Sequence, residues 1–305
     1  MNNGQFIGKI LFVACITVVF ACSGFDNVKR SLQGNDSQPP REIKHGVLSV
    51  QTLISDAQLA AIVYDSDEKI RAFSAQNGYE NLAIGMFEKF KVKYFTAHVN
   101  DVRYIVIRGT SNFTNVKSDI LALPIYDSLS QIWLHKGFRD AALGVLKNIE
   151  NAFPRIEPEK KVIIVGHSLG GAIANILGIY LYLKNYNLDR IVTFGQPKIT
   201  NQKGLDNYSD LPLFRVVGAG DIITGVPPKT SAFKFIHGGL KIKVDDTQIS
   251  YTHFGDFTNA IDDDPVSIHM DLDRVSRAVY HKISHYIQRL KQHQDILIQF
   301  NTRSN

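Results

Sequence analysis

The chain has 305 residues and a formal charge of +5, with 44% of its residues hydrophobic and 21% charged. That is ordinary for a globular protein and enough for one large α/β domain. Basic residues are scattered, with no Lys/Arg block interleaved with aromatics, which excludes a nucleic-acid partner as the working reading.

The N-terminus comes first. Lys9 precedes an apolar run from Ile10 to Ala21, too short to span a bilayer comfortably and suited to the hydrophobic region of a secretory signal. The run closes as Ala21-Cys22-Ser23-Gly24, and a small residue directly before a cysteine resembles a bacterial lipoprotein signal, with Cys22 the lipidated residue. An ordinary cleaved signal and a retained N-terminal anchor are the alternatives. Both cysteines of the chain, Cys15 and Cys22, fall in this segment, so residues 23–305 hold no disulfide and their fold rests on its core. The expected organisation is therefore a signal over 1–22, a polar tether over 23–45 and one domain over 46–305. The expected location is the bacterial cell envelope, with the membrane a partner through the lipid anchor, or secretion.

Leu53, Ala57, Ala60, Ala61 and Tyr64 are spaced for an amphipathic helix. Lys91 to Val99 and Val102 to Arg108 predict two strands joined by an Asn100-Asp101 turn. Gly137 to Ala152 predicts a helix ended by Pro154, and Lys161 to Val165 a buried strand. Arg190 to Phe194 and Leu213 to Val217 predict two more strands, and Phe233 to Val244 one or two. Val266 to Gln292 reads as mainly helical. Strands alternating with helices mean an α/β domain with a largely parallel sheet.

The run from Lys161 to Gly171 carries the chemistry. A short apolar strand runs into Gly166-His167-Ser168-Leu169-Gly170, and a helix follows. This is the context of a nucleophile elbow, in which small residues two before and two after the serine let strand and helix approach. The alternative is a glycine-rich turn with an ordinary serine. A serine hydroxyl needs a base, and the base an orienting carboxylate. Asp221, after the Leu213–Val217 strand, is the best-placed carboxylate. Asp245 and Asp246 follow a later strand, and Asp262-Asp263-Asp264 reads as a solvated loop with calcium binding as a weaker alternative. Six histidines follow Asp221 (His237, His253, His269, His281, His285, His293), and periodicity does not choose among them.

Five ordered segments resemble the class 3, fungal-type lipases: Val106-Ile107-Arg108-Gly109-Thr110, His135-Lys136-Gly137-Phe138, Gly166 to Gly171, Thr193 to Lys198 with Asn201, and Arg215 through Asp221 to Pro228. The resemblance implies an α/β-hydrolase fold, a largely parallel central sheet with helices on both faces. It implies Ser168 as nucleophile, Asp221 as orienter, and Thr110 and Leu169 as oxyanion donors. It selects His281, from the His-x-x-x-x-Tyr spacing to Tyr286, with His285 as runner-up, and reads His237 as structural. It implies hydrolysis of carboxylic esters of lipids, as a triacylglycerol lipase, a phospholipase A1 or an esterase, with no cofactor and no metal, and a lid over Ser111 to Leu123, the alternative being a helix packed permanently on the core. Two competing readings are a catalytically silent lipid-binding lipoprotein and a zinc hydrolase using His281 and His285, where Lys282 stands in place of the glutamate such a motif needs.

Overall fold

The computed structural model describes residues 43–109, 123–152, 160–227, 233–252 and 279–303. The signal with Cys22, Thr110 and most of the lid segment, the Asp262–Asp264 loop, His253 and His269 lie outside the described residues.

The segment before the elbow is apolar throughout because it is buried on both faces. In β7 (Lys161–His167), Val162 and Ile164 join one hydrophobic cluster while Ile163 and Val165 join the other. This is the period-two division of a strand covered on both sides. Its parallel neighbours are β4 (Val102–Ile107) and β8 (Leu188–Phe194), and β9 (Leu213–Gly218) and β10 (Leu240–Val244) continue the parallel set. Antiparallel strands complete the sheet: β3 (Val92–Val99) and β2 (Glu80–Phe87) beyond β4, and β11 (Ile249–Tyr251) beyond β10. The order across the eight strands is β11-β10-β9-β8-β7-β4-β3-β2.

On one face lie α3 (Lys136–Ala152) and α4 (Leu169–Leu183); on the other lie α1 (Val50–Ile62) and α6 (Ile283–Lys291). α4 is apolar almost all round, as a helix sandwiched between the sheet and a second helix must be. α1 starts at Ser49, whose hydroxyl accepts from the Thr52 N–H at 3.1 Å. Its Asp56 pairs bidentately with Arg190 of β8, at 3.0 and 3.1 Å, which fixes this helix to the sheet. The exposed α2 (Asp67–Gln76) follows.

Several expectations change. β1 (Ile43–Ser49) pairs antiparallel with β12 (Leu297–Arg303), so the ordered chain takes in residues 43–45, which read as tether. β2 has no clear mark in the sequence, because as an edge strand it is mostly half-buried or exposed and shows little alternation. Residues 233–239 are not a strand: Ile236 makes a single bridge to Thr200. A short hairpin of β5 (Pro124–Asp127) and β6 (Ile132–His135) is tied to the segment after β8, the His135 N–H donating to the Ile199 carbonyl at 2.8 Å, and the short α5 (Gln202–Asn207) follows that segment.

Candidate active site

Ser168 sits where β7 turns into α4, with φ 59° and ψ −130°, a conformation open to few residues other than glycine. The turn is held by the Ser168 N–H donating to the Phe194 carbonyl at 2.8 Å and by the Gly171 N–H donating to the Ser168 carbonyl at 2.9 Å. The two flanking glycines are demanded by backbone contact. A Cβ at Gly166 would lie 2.3 Å from the Gly170 carbonyl oxygen, and one at Gly170 would lie 2.3 Å from the Ile107 carbonyl oxygen. Ser168 is buried, and its hydroxyl has no hydrogen-bond partner among the described residues. Leu169 is the first residue of α4, so its N–H has no partner within the helix and the helix terminus favours negative charge there.

Asp221 follows β9 and caps the 3-10 turn Ile222–Gly225, its Oδ1 accepting from the Ile223 N–H at 2.9 Å. Its Oδ2 accepts from His281 Nδ1 at 2.7 Å and from the Tyr286 hydroxyl at 2.5 Å. A carboxylate only accepts, so the neutral His281 ring carries its proton on Nδ1 and its basic nitrogen is Nε2. Gly195 lies against this pair at φ 59°: a Cβ there would stand 2.7 Å from Asp221 Oδ2 and 2.9 Å from His281 Nδ1. The Asp221 loop is stapled from three sides. Thr224 Oγ1 donates to the Asp221 carbonyl at 2.9 Å, His237 Nε2 donates to the Thr224 carbonyl at 2.7 Å, and Lys198 Nζ donates to the Gly225 carbonyl at 2.9 Å. Burial holds the His237 imidazole well below its ordinary range, helped by the Arg215 charge, so it stays neutral in this role. These contacts give the Thr193–Lys198 segment its physical purpose, and Asn201 caps α5 by accepting from the Gly204 N–H.

His281 does not lie in a continuous helix. Residues 279–280 are helical, His281 and Lys282 interrupt, and α6 starts at Ile283 after an extended Lys282. The break turns the His281 ring toward Asp221. His285 lies one turn on, beside the Tyr280 ring at 5.5 Å. The two histidines therefore do not share one helix as the zinc reading requires. Asp246 pairs with Arg289 at 2.9 Å, and Asp245 Oδ1 accepts from the N–H groups of Thr247 and Gln248, closing a turn.

Spacing in the sequence gives Tyr286 no role of its own; the structure does. Its hydroxyl accepts from the Gly218 N–H at 3.0 Å while donating to Asp221, tying the end of β9 to the carboxylate. Burial first, and then the Asp221 charge, holds its phenol well above the usual range, so it remains a donor.

Residues 104–231 match the family described as lipase (class 3). The lipase of Rhizomucor miehei is 33% identical over 156 residues, 47% of this chain and 42% of that protein. A secreted mono- and diacylglycerol lipase of Malassezia globosa is 34% identical over 117 residues, 36% of this chain and 37% of that protein. The matched region thus spans about two fifths of these relatives' length. Among solved structures, a fungal lipase–inhibitor complex presented as a model for interfacial activation is 25% identical, with a TM-score of 0.56 over 68% of this chain and 86% of that one. A triacylglycerol lipase described as having a serine-protease triad shares the fold at 21% identity and a TM-score of 0.53, over 79% of this chain and 95% of that one. The fold is that of the α/β-hydrolases, and residues 104–231, from β4 to the segment after Asp221, are similar to the class 3 lipases.

Proposed function

We propose that this protein hydrolyses carboxylic esters of lipids by acyl transfer through Ser168. The observation that carries the reading is the buried 2.7 Å bond between Asp221 and His281, whose ring packs on that of His167, the residue before a serine held at positive φ on an elbow. His281 Nε2 takes the proton as Ser168 Oγ attacks the ester carbonyl, and Asp221 holds the tautomer and stabilises the imidazolium. His281 then gives the proton to the leaving alcohol, and water repeats the sequence on the acyl-enzyme. The N–H of Leu169 at the helix terminus and Thr110 receive the oxyanion, each such donor worth about 3–4 kcal/mol in the transition state. The Malassezia relative, a mono- and diacylglycerol lipase by name, supports acylglycerols as the substrate class.

The test is turnover of p-nitrophenyl esters from acetyl to palmitoyl by the full chain beside Ser168→Ala. Serine-dependent turnover with a long-chain optimum supports a lipase, and a short-chain optimum an esterase. Equal turnover by Ser168→Ala refutes the assignment. Inactivation by a serine-directed phosphonate, with no effect of a chelator, separates this chemistry from metal hydrolysis.

The same reading assigns residues 1–22 to an export signal, Cys22 to lipidation and 23–45 to a tether. The cysteine-free domain and the secreted Malassezia relative support export. Loss of radiolabelled palmitate incorporation in Cys22→Ser tests the anchor, and unchanged incorporation refutes it.

A further inference from the structure

The hydrogen bonds at the elbow continue beyond Ser168, Asp221 and His281. Gly109, which precedes Thr110, donates its N–H to the Tyr64 hydroxyl at 3.1 Å. That hydroxyl lies 2.8 Å from His167 Nδ1, and His167 Nε2 lies 2.7 Å from the backbone carbonyl oxygen of His281. The directions are forced. A carbonyl only accepts, so Nε2 carries the ring proton; the neutral ring then presents a lone pair at Nδ1, and Tyr64 donates to it. The connection runs from the Gly109 N–H through the Tyr64 hydroxyl to His167, and from His167 to the carbonyl of His281.

The surroundings hold it in that state. Burial, together with the neighbouring His281, pushes the His167 imidazole down to about 3, so it is neutral at working pH. Burial likewise raises the Tyr64 phenol, so it keeps its proton. The His167 ring lies edge-on to Tyr64 at 5.8 Å and tilted on His281 at 4.8 Å. A Cβ at Gly109 would stand 2.6 Å from the Tyr64 hydroxyl, 2.6 Å from the His167 carbonyl oxygen and 2.9 Å from Ser168 Cβ, so the end of β4 is fitted directly against the elbow. His281 sits in a helix break, where no regular backbone ladder sets its position.

We propose that Tyr64 and His167 are positioning residues, joining the end of β4 that carries the oxyanion donor to the backbone of the general base through the elbow itself. The role rests on the hydrolase reading above. Tyr64 lies just beyond the end of α1, its N–H donating to the Ala61 carbonyl at 3.1 Å, so the helix on the face opposite α4 takes part in setting the site. The physical need is precision: a displacement of about 1 Å at a catalytic group costs on the order of 100-fold in rate.

The experiment uses the full chain with Tyr64→Phe, His167→Gln, His167→Leu and the double variant Tyr64→Phe/His167→Gln. Tyr64→Phe keeps the ring and removes the hydroxyl. It is expected to lower kcat by about 10- to 100-fold with KM within about twofold, the pattern of a displaced transition state rather than of lost binding. Gln at 167 retains a donor toward the His281 carbonyl and should keep more activity than Leu. The double variant should fall no further than the worse single, since both break one connected path. Unchanged kcat in Tyr64→Phe, or multiplicative losses in the double variant, would overturn the proposal.

A second readout does not depend on turnover. Ring nitrogen NMR of the Ser168→Ala protein should show His167 as the Nε2–H tautomer, neutral down to about pH 4, with Nδ1 shifted in Tyr64→Phe. A ring that titrates near 6.5 or carries its proton on Nδ1 would overturn the connection, whatever the enzyme does. Wild-type chain without Ser168-dependent turnover, but with the expected ring signals, would instead sink the hydrolase reading and the positioning role with it, leaving the bonded path intact.

Discussion

Tyr286→Phe isolates one oxygen atom. The ring is buried beside Phe194, with centroids 6.0 Å apart, and phenylalanine preserves that packing, so no cavity opens. Two bonds disappear. The buried Gly218 N–H loses its acceptor, and an unsatisfied buried donor costs about 1–3 kcal/mol. Asp221 Oδ2 loses a charge-assisted donor at 2.5 Å, worth about 1.5–3 kcal/mol net. One hydroxyl serves both bonds, so the losses overlap, and a destabilisation of about 3 kcal/mol is expected. Urea unfolding reads it as a lower midpoint at unchanged slope. The carboxylate retains His281 and the Ile223 N–H, so the activity loss is smaller, about tenfold in kcat/KM for each 1.4 kcal/mol of lost orientation. The phenol also has a sign in pH. Its folded value is raised above that of the unfolded chain, so its contribution is complete below about pH 10 and is lost as pH rises beyond it. The variant should lose less stability than wild type between pH 10 and 11. A midpoint shift equivalent to less than about 0.5 kcal/mol would refute the account of this hydroxyl.

Gly170→Ala drives a methyl group into the Ile107 carbonyl at 2.3 Å, and because the obstacle is backbone the elbow must shift. A loss of about 1–3 kcal/mol in unfolding free energy is expected, with kcat falling more than stability explains; wild-type kcat would contradict the packing argument. His135 is buried, stacked on Phe138 with centroids 3.9 Å apart, has no ring hydrogen-bond partner among the described residues and is pushed down to about 4 by burial. Below about pH 6.5 the unfolded chain takes up its proton and the folded chain does not, so this residue costs about 2 kcal/mol of stability by pH 5. His135→Phe should remove that part of the acid sensitivity in denaturant titrations at pH 7 and pH 5; an unchanged pH slope would show that the ring is not held neutral.

Much of the local architecture was legible in the chain because it follows from short-range pattern. The short apolar run Val162 to Val165, ending in a glycine turn, reads as a strand covered on both faces, and Gly166 and Gly170 mark the close approach of strand and helix. The placement of Asp221 after an apolar strand is likewise a local signal. Choosing among six histidines was not local. Periodicity treats them alike, and only the family spacing preferred His281; its ring meets a carboxylate 60 residues earlier. The break at His281–Lys282 leaves no mark in the pattern, because Val275, Val279, Ile283, Ile287 and Leu290 keep a helical spacing across it; the interruption accompanies bonds that the His281 ring and carbonyl make to distant groups.

The same division holds for the molecule as a whole. By itself the sequence determined the alternation of strands and helices, the parallel core of the sheet and the elbow, since each is written in residues a few positions apart. The tertiary structure alone decided that β1 closes against β12, that Tyr286 holds Asp221, and that Tyr64 reaches His167 across 103 residues. Each of these is a pairing of polar groups between segments far apart in the chain. Hydrogen-bond complementarity leaves no periodic trace in sequence, and it becomes visible only when burial removes water as the competing partner.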